Sequence, residues 1–205
     1  MVSYKLTYFA SRGLAEVSRQ LFHLADVEFE NHVVDREEFL RLKPSLPFGQ
    51  VPLLTVNGDV EIPQSVAIAR YLARKFGFAG KTAEEEAIVD AFADQFKDFY
   101  KEIHNYFYTK LGIIEVSVTE EKDLIPARDK FLSCVTKCLE KSTSGFLVDS
   151  GLTYADLMII DNMTTLIGWY PEYLNGFDKI QSWRQNVLNH PKLKEYLAKR
   201  TLTPA

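Results

Sequence analysis

The chain has 205 residues, 46% hydrophobic, 13% aromatic and 25% charged. That composition supplies a core without disulfide or metal staples and excludes disordered and collagen-like chains. With 24 Lys+Arg against 28 Asp+Glu the net charge is −4, so no basic field holds a phosphate backbone and nucleic acid is not an expected partner. No apolar run approaches the roughly 18 residues of a membrane span. Lys5 also breaks the stretch from Met1 to Ala10 that a leader would need, so no membrane partner is expected and the expected location is the cytoplasm.

Along the chain, Tyr4, Leu6 and Tyr8 alternate with Lys5 and Thr7, the period of a strand with one apolar face. After an Arg12-Gly13 turn, Leu14, Val17, Leu21, Phe22 and Ala25 recur at helical spacing, and Phe29, Asn31 and Val33 resume alternation. This βαβ unit makes its two strands parallel. A short helix is expected over Arg36 to Leu42, ending before Pro44 and Pro47. Asn57-Gly58 between the apolar runs 52–56 and 60–62 predicts a type I′ hairpin. Gln64-Ser65 opens a helix that runs to Phe76, with Ser65 as the expected N-cap and Gly77 as the stop.

Beyond a linker at Phe78 to Thr82 the strand signals fade. Helices are expected over Glu84 to about Lys110, Lys122 to Ser142, Tyr154 to Gly168, Asp178 to Asn189 and Lys192 to Arg200. Thr153 and Asp156 carry the spacing of a capping box, with Leu152 and Leu157 flanking it as a hydrophobic staple. Cys134 and Cys138 sit four apart and form no CxxC, so they are expected to pack as small core hydrophobes. Four histidines, His23, His32, His104 and His190, are too scattered to suggest a metal site. Asp90, Asp94 and Asp98 share one helical face, which by itself reads as a solvated stripe. Pattern alone likewise makes Tyr8 a core position and Gln64-Ser65 a plain helix start.

Three segments say more. Residues 8–13, Tyr-Phe-Ala-Ser-Arg-Gly, close the first strand; residues 46–52, Leu-Pro-Phe-Gly-Gln-Val-Pro, precede the third; residues 64–72, Gln-Ser-Val-Ala-Ile-Ala-Arg-Tyr-Leu, open the third helix. Together with the helical second half they resemble the cytosolic glutathione transferases, most closely the sigma class, which includes prostaglandin D synthases and invertebrate transferases. The resemblance covers essentially the whole chain. It implies an α/β thioredoxin-like domain of order β-α-β-α-β-β-α over residues 1–78 that binds glutathione. An all-α domain over residues 82–205 then carries much of the electrophile site, and the chain acts as a homodimer.

The resemblance also implies roles. A cysteine thiol has a pKa near 8.5, so only about 3% is thiolate at pH 7. A tyrosine hydroxyl, still protonated there, favours the thiolate by donating a hydrogen bond to it, and Tyr8 is the implied donor. Gln50, Val51 and Pro52 form the turn in which Val51-Pro52 is the implied cis peptide and the Val51 backbone pairs with the cysteinyl part of glutathione. Gln64 and Ser65 seat the γ-glutamyl carboxylate at a helix N-terminus. Lys43 and Phe39 lie where the glycyl carboxylate is held, Phe39 standing where many relatives have Trp. Leu14 replaces an Arg that often follows Arg-Gly, and Arg12 is expected to be a structural or surface charge. Asp98 matches a position that reaches glutathione bound to the other subunit. Lys97 occupies a position matching a metal-responsive carboxylate cluster, so no metal is expected. Phe9, Leu14, Tyr100, His104 and Met158 are the implied lining for hydrophobic electrophiles. The expected activity is conjugation of the glutathione thiolate to such electrophiles. Isomerisation of prostaglandin H2 to D2, for which the cleft Trp is missing between Phe99 and Tyr106, and a non-catalytic binding or structural role are the alternatives. A thiol-disulfide enzyme is disfavoured because the first domain contains no cysteine.

Overall fold

In a computed structural model of the chain, which describes residues 2–203 and 205, the Tyr4–Phe9 strand β1 becomes the centre of a sheet. Its Leu6, Thr7 and Tyr8 are all buried, so both faces are covered, as a central strand requires. Among the described residues four strands form this sheet in the order β2-β1-β3-β4. β2 (Glu30–Val34) runs parallel to β1, β3 (Leu53–Val56) pairs antiparallel with β1, and β4 (Val60–Pro63) pairs antiparallel with β3. Asn57 and Gly58 have φ of 54° and 82°, the two left-handed residues of a type I′ turn. Helix α1 (Glu16–Leu24) follows a 3-10 turn at Gly13–Ala15, α2 is Arg36–Leu42 and α3 is Ser65–Phe76. Gly77 ends α3 at φ 84°. This is the thioredoxin-like arrangement.

Two local expectations need correction. β2 starts at Glu30 rather than Phe29 and buries Val34, while Val33 is 46% exposed. At a sheet edge the parallel register with β1, not the strand's own alternation, decides which residue is covered. Gln64, not Ser65, is the N-cap of α3: its φ, ψ of 73°, 117° are non-helical, yet its carbonyl already accepts from the Ile68 N–H at 2.9 Å.

The described residues fall into two compact units, one reaching from the start to Phe78 and including Pro191–Thr203 and Ala205, the other Ala79–His190. In the first, α1 packs against α3 and α9 (Pro191–Lys199), with Phe22 stacked on Phe29 at 4.3 Å and tilted against Tyr4 at 5.2 Å. In the second, α4 (Ala83–Glu102) packs on α6 (Ile125–Leu139) and α7 (Tyr154–Trp169), and α8 (Asp178–Leu188) on those two. Phe99 stacks on Phe131 at 4.8 Å in that core. Each such fully buried large side chain contributes about 1.5–3 kcal/mol.

The expected single helix from Glu84 to Lys110 is two, α4 and α5 (His104–Lys110), meeting at Ile103 with φ, ψ of −90°, 9°. Val89, Ala93, Phe96, Phe99, Ile103, Tyr106 and Phe107 are all buried, so the apolar period runs unbroken through the joint and conceals it. Expected helix 122–142 likewise divides into a π-helical turn, Glu120–Leu124, and α6. Pro126 lies at the start of α6, where its missing N–H is harmless, whereas an α ladder passing through it would lose a bond and clash. Cys134 is exposed and Cys138 half-buried, which overturns their assignment to the core. The buried positions of α6 include Arg128, Phe131, Leu132, Val135 and Leu139, and at 100° per residue Cys134 falls roughly 120° from their centre. Cys138, at the edge, donates its thiol to the Leu147 carbonyl at 3.2 Å, and burial pushes its pKa up.

The capping box is present as expected. Asp156, fully buried, accepts from the Thr153 N–H at 2.8 Å and hydroxyl at 2.5 Å, from the Leu147 N–H at 3.0 Å and from Trp183 Nε1 at 2.7 Å. Burial pushes its carboxyl up, and these four donors pull against that shift.

Candidate active site

Tyr8 leaves β1 with its ring buried, and its hydroxyl meets backbone. The Leu14 N–H donates to the Tyr8 oxygen at 3.1 Å. Such a bond uses an oxygen lone pair, so the hydroxyl keeps its own proton as a donor. Gly13 permits the approach: at φ 41° it turns the chain, and a Cβ on it would lie 2.6 Å from the Tyr8 oxygen. Only glycine meets both conditions. Leu14, one residue on, is 39% exposed.

The first unit links several of the expected site residues to one another. Rings connect Tyr8 to Phe9 at 5.6 Å and Phe9 to Phe39 at 5.3 Å, and the Lys43 ammonium lies 6.0 Å from the Phe39 ring centre. Phe39 sits on α2 and Lys43 opens the 3-10 turn that follows it, its stem packed beside Gly49. The Val51-Pro52 peptide is cis. Gln64 donates its side-chain amide to Gln50 at 3.3 Å, so the loop before β3 and the start of α3 are joined. Gln64 holds a left-handed φ that costs a non-glycine residue about 1–2 kcal/mol, an outlier of the kind that accumulates at binding sites. It makes no side-chain cap to α3. The first-turn N–H groups of α3, with Ser65 leading, therefore offer a positive helix end to a carboxylate.

In the second unit the expected residues lie on α4, α5 and α7. Asp98 is exposed on α4, and Asp90 accepts from the Tyr154 hydroxyl at 2.6 Å. Tyr100 meets Phe107 at 5.0 Å and Tyr108 at 6.5 Å, and His104 stacks on Tyr108 at 4.4 Å. Phe107 in turn packs on Trp169 at 4.9 Å. Trp169 and Tyr108 thus belong to the aromatic surface although the sequence reading passed over them; Trp169 closes a helix whose other apolar residues mask it. Met158 is half-buried on α7. Among the described residues no three His, Cys, Asp or Glu side chains converge as a metal would require.

The sequence reading also missed Arg19 and Glu16. Arg19 gathers the carbonyls of the turn after β1, and Glu16 joins it to Tyr196 and Arg200. The only local signal was their i, i+3 spacing on α1. Arg12 is 7% exposed, which makes it a structural rather than a surface charge.

A thioredoxin-like unit with a tyrosine oriented by backbone and a helix start without a side-chain cap is followed in the chain by an all-helical unit. A model described as the glutathione S-transferase N-terminal domain matches residues 4–74, and one described as the C-terminal domain matches residues 97–200. Glutathione S-transferase 3 of Caenorhabditis elegans is 47% identical over 207 residues, covering 99% of each chain. Two solved structures are similar along their length. A Nu-class glutathione S-transferase from Haemonchus contortus gives a TM-score of 0.91 at 45% identity, with 100% of both chains covered. A monomeric glutathione S-transferase from the hookworm Necator americanus gives 0.94 at 40% identity, with 98% of each covered. The chain belongs to the glutathione S-transferase family and is an enzyme of the transferase class.

Proposed function

We propose that the chain conjugates reduced glutathione to hydrophobic electrophiles by stabilising the thiolate with the Tyr8 hydroxyl, in the manner of a sigma-like transferase serving detoxification in the cytoplasm. The Leu14 N–H on the Tyr8 oxygen carries this reading, because it orients the hydroxyl by backbone. Glutathione supplies the sulfur nucleophile. Tyr8 donates to that sulfur, and the thiol proton passes to solvent. The sulfur lone pair forms the new carbon–sulfur bond, and with an aryl halide the halide leaves with its bonding electrons. Lys43, beside Phe39, faces the glycyl carboxylate; Gln64 and Ser65 receive the γ-glutamyl carboxylate at the α3 N-terminus; and the Val51 backbone, in the Gln50 to Pro52 turn, pairs with the cysteinyl unit. Phe9, Leu14, Tyr100, His104 and Met158 supply apolar surface for the electrophile. Asp98 completes the glutathione site of a second copy in a homodimer, and no metal takes part because Lys97 opposes a cation on that face of α4.

The test is the ultraviolet absorbance of bound thiolate against pH. In the wild type the bound thiol should titrate about two units below the free value, which corresponds to about 2.7 kcal/mol of preferential thiolate stabilisation. Tyr8→Phe should titrate near the free value, with turnover at neutral pH reduced 10- to 100-fold and little change in glutathione affinity. Superimposed curves would move the activating group away from Tyr8. Light scattering of the same samples reads the assembly directly, a mass near that of one chain excluding the homodimer.

A further inference from the structure

The hydroxyl of Tyr8 is oriented by Leu14, and Leu14 follows a turn in which Arg12 is buried while Ala10 and Gly13 are exposed. One cation collects the carbonyls of that turn, while the Arg12 N–H is held by the Ala205 carbonyl at 2.9 Å. Arg19, on the second turn of α1 with its side chain 11% exposed, donates from Nη1 to the carbonyls of Ser11 at 2.8 Å and Arg12 at 3.3 Å, and from Nη2 to the carbonyl of Phe9 at 3.2 Å. Its Nε donates to Asn31 Oδ1 on β2 at 3.2 Å, and Nη1 also meets Glu16 Oε2 at 3.2 Å. Three carbonyls within four residues thus converge on a planar fork, a task suited to the five N–H donors of a guanidinium and unsuited to the point charge of an ammonium. The same group lies over Tyr8, its Cζ 5.9 Å from the ring centre, within the range of cation–π attraction.

The fork is itself braced. Glu16, its side chain 3% exposed, holds Arg19 through one oxygen and through the other accepts from Arg200 Nη1 at 2.8 Å and the Tyr196 hydroxyl at 3.0 Å. Helix α9 therefore fixes Glu16, Glu16 fixes Arg19, and Arg19 fixes the turn. Two cations, Arg19 and Arg200, share this interior with the Glu16 carboxylate, and the turn's carbonyls take up the Arg19 donors that the carboxylate leaves over.

We propose that Arg19 is a positioning residue for the reaction. It pins residues 9–12 so that Gly13 passes under the Tyr8 oxygen and the Leu14 N–H lands on it, and it sets a positive charge beside the ring that donates to the thiolate. The proposal rests on the reading of Tyr8 as the thiol-activating group and adds to it a residue that touches neither glutathione nor the electrophile.

Arg19→Met and Arg19→Lys separate a structural from a positioning role. Arg19→Met should lose the fork and the charge. In protein that still melts cooperatively, the bound thiol should titrate about one unit higher than in the wild type, with kcat at pH 6.5 down five- to tenfold and KM for glutathione changed less than threefold. Arg19→Lys, which keeps the charge and the stem, should fall short of the wild-type titration because it cannot serve three carbonyls. Should Arg19→Met fail to fold, the same titration on Arg19→Lys decides. A bound thiol that titrates as in the wild type in the folded variant overturns the proposal. A wild type whose bound thiol shows no depressed pKa at all overturns instead the underlying reading of Tyr8, so the two failures are distinct.

Discussion

Two turns in this molecule are held the same way with opposite sign. After β1, the Arg19 cation collects backbone carbonyls; before α7, the Asp156 anion collects backbone N–H groups of Leu147 and Thr153, with the Trp183 indole and Thr153 hydroxyl added. Asp156 is fully buried and lies among helices of the second unit, whereas Arg19 lies at the edge of the turn that carries Gly13 and Leu14. One device thus serves two ends. A charge buried among main-chain partners stabilises a fold where the segment it holds only packs, and tunes chemistry where that segment touches a reactive group.

Removing the anion should separate the two turns by the largest effect. Asp156→Ala removes the buried acceptor of four donors and should cost about 3–5 kcal/mol of stability. Urea unfolding measures it, and kcat of the folded fraction should stay near the wild-type value. A loss under about 1 kcal/mol would mean that the four bonds contribute little, and a fall in kcat without a loss of stability would erase the distinction between the two turns.

The two turns also differed in how far the sequence disclosed them. Thr153 and Asp156 announced themselves by capping-box spacing, because a cap is a local bond between residues three apart. Asn57-Gly58, Gly77 and the alternation of β1 were legible for the same reason: each is decided within a few residues. Tyr8, Gln64 and the residues of the Val51-Pro52 turn were found only through their likeness to a family, since periodicity alone makes Tyr8 a core residue. Arg19 was not found at all. Its partners are carbonyls, which every residue possesses, so nothing in the side chains of Phe9, Ser11 or Arg12 marks them as acceptors. The break at Ile103, the exposure of Cys134 and the offset of β2 were likewise hidden, as each follows from what the neighbouring element covers.

A second variant pair probes the first turn with less force. Gly13→Ala places a methyl 2.6 Å from the Tyr8 oxygen on a backbone of positive φ, which should cost about 2 kcal/mol in strain and overlap. It should also lower turnover at neutral pH roughly tenfold, as Tyr8 is driven from the Leu14 N–H. Gly58→Ala has a positive φ too but nothing within 4 Å of the added carbon, so strain alone should cost about 1 kcal/mol and leave turnover unchanged. Thermal melts and steady-state rates on the pair decide the matter, and equal effects of both variants on turnover would show that the approach to Tyr8 is not what Gly13 provides.

The smallest effect tests whether a half-exposed charge follows the same rule. Glu120, on the π-helical turn, accepts from Lys110 Nζ at 2.9 Å and from the Tyr106 hydroxyl at 3.0 Å. The Lys110 bond, with the smaller contribution of Tyr106, holds the Glu120 carboxyl below the ordinary glutamate range. A carboxyl lowered by folding contributes stability that is present above the unfolded value near 4.3 and is lost as pH falls through the folded value. Tyr106 shifts the opposite way, raised first by burial and then by Glu120. An acid raised by folding contributes stability that is present below about 10 and is lost as pH rises beyond it. The cluster therefore favours the window between, and because the Lys110 and Glu120 side chains are 34% and 28% exposed the acid limb should amount to only about 0.5–1 kcal/mol. Glu120→Gln keeps an acceptor for Tyr106 and removes the titration. Its melting temperature should lie slightly below the wild type at pH 7, and the gap should narrow as pH falls below about 4.3 and through the folded value. A gap that does not narrow at all on acidification would assign the loss to packing of the π-helical turn and not to charge, which would confine the rule drawn from Arg19 and Asp156 to buried groups.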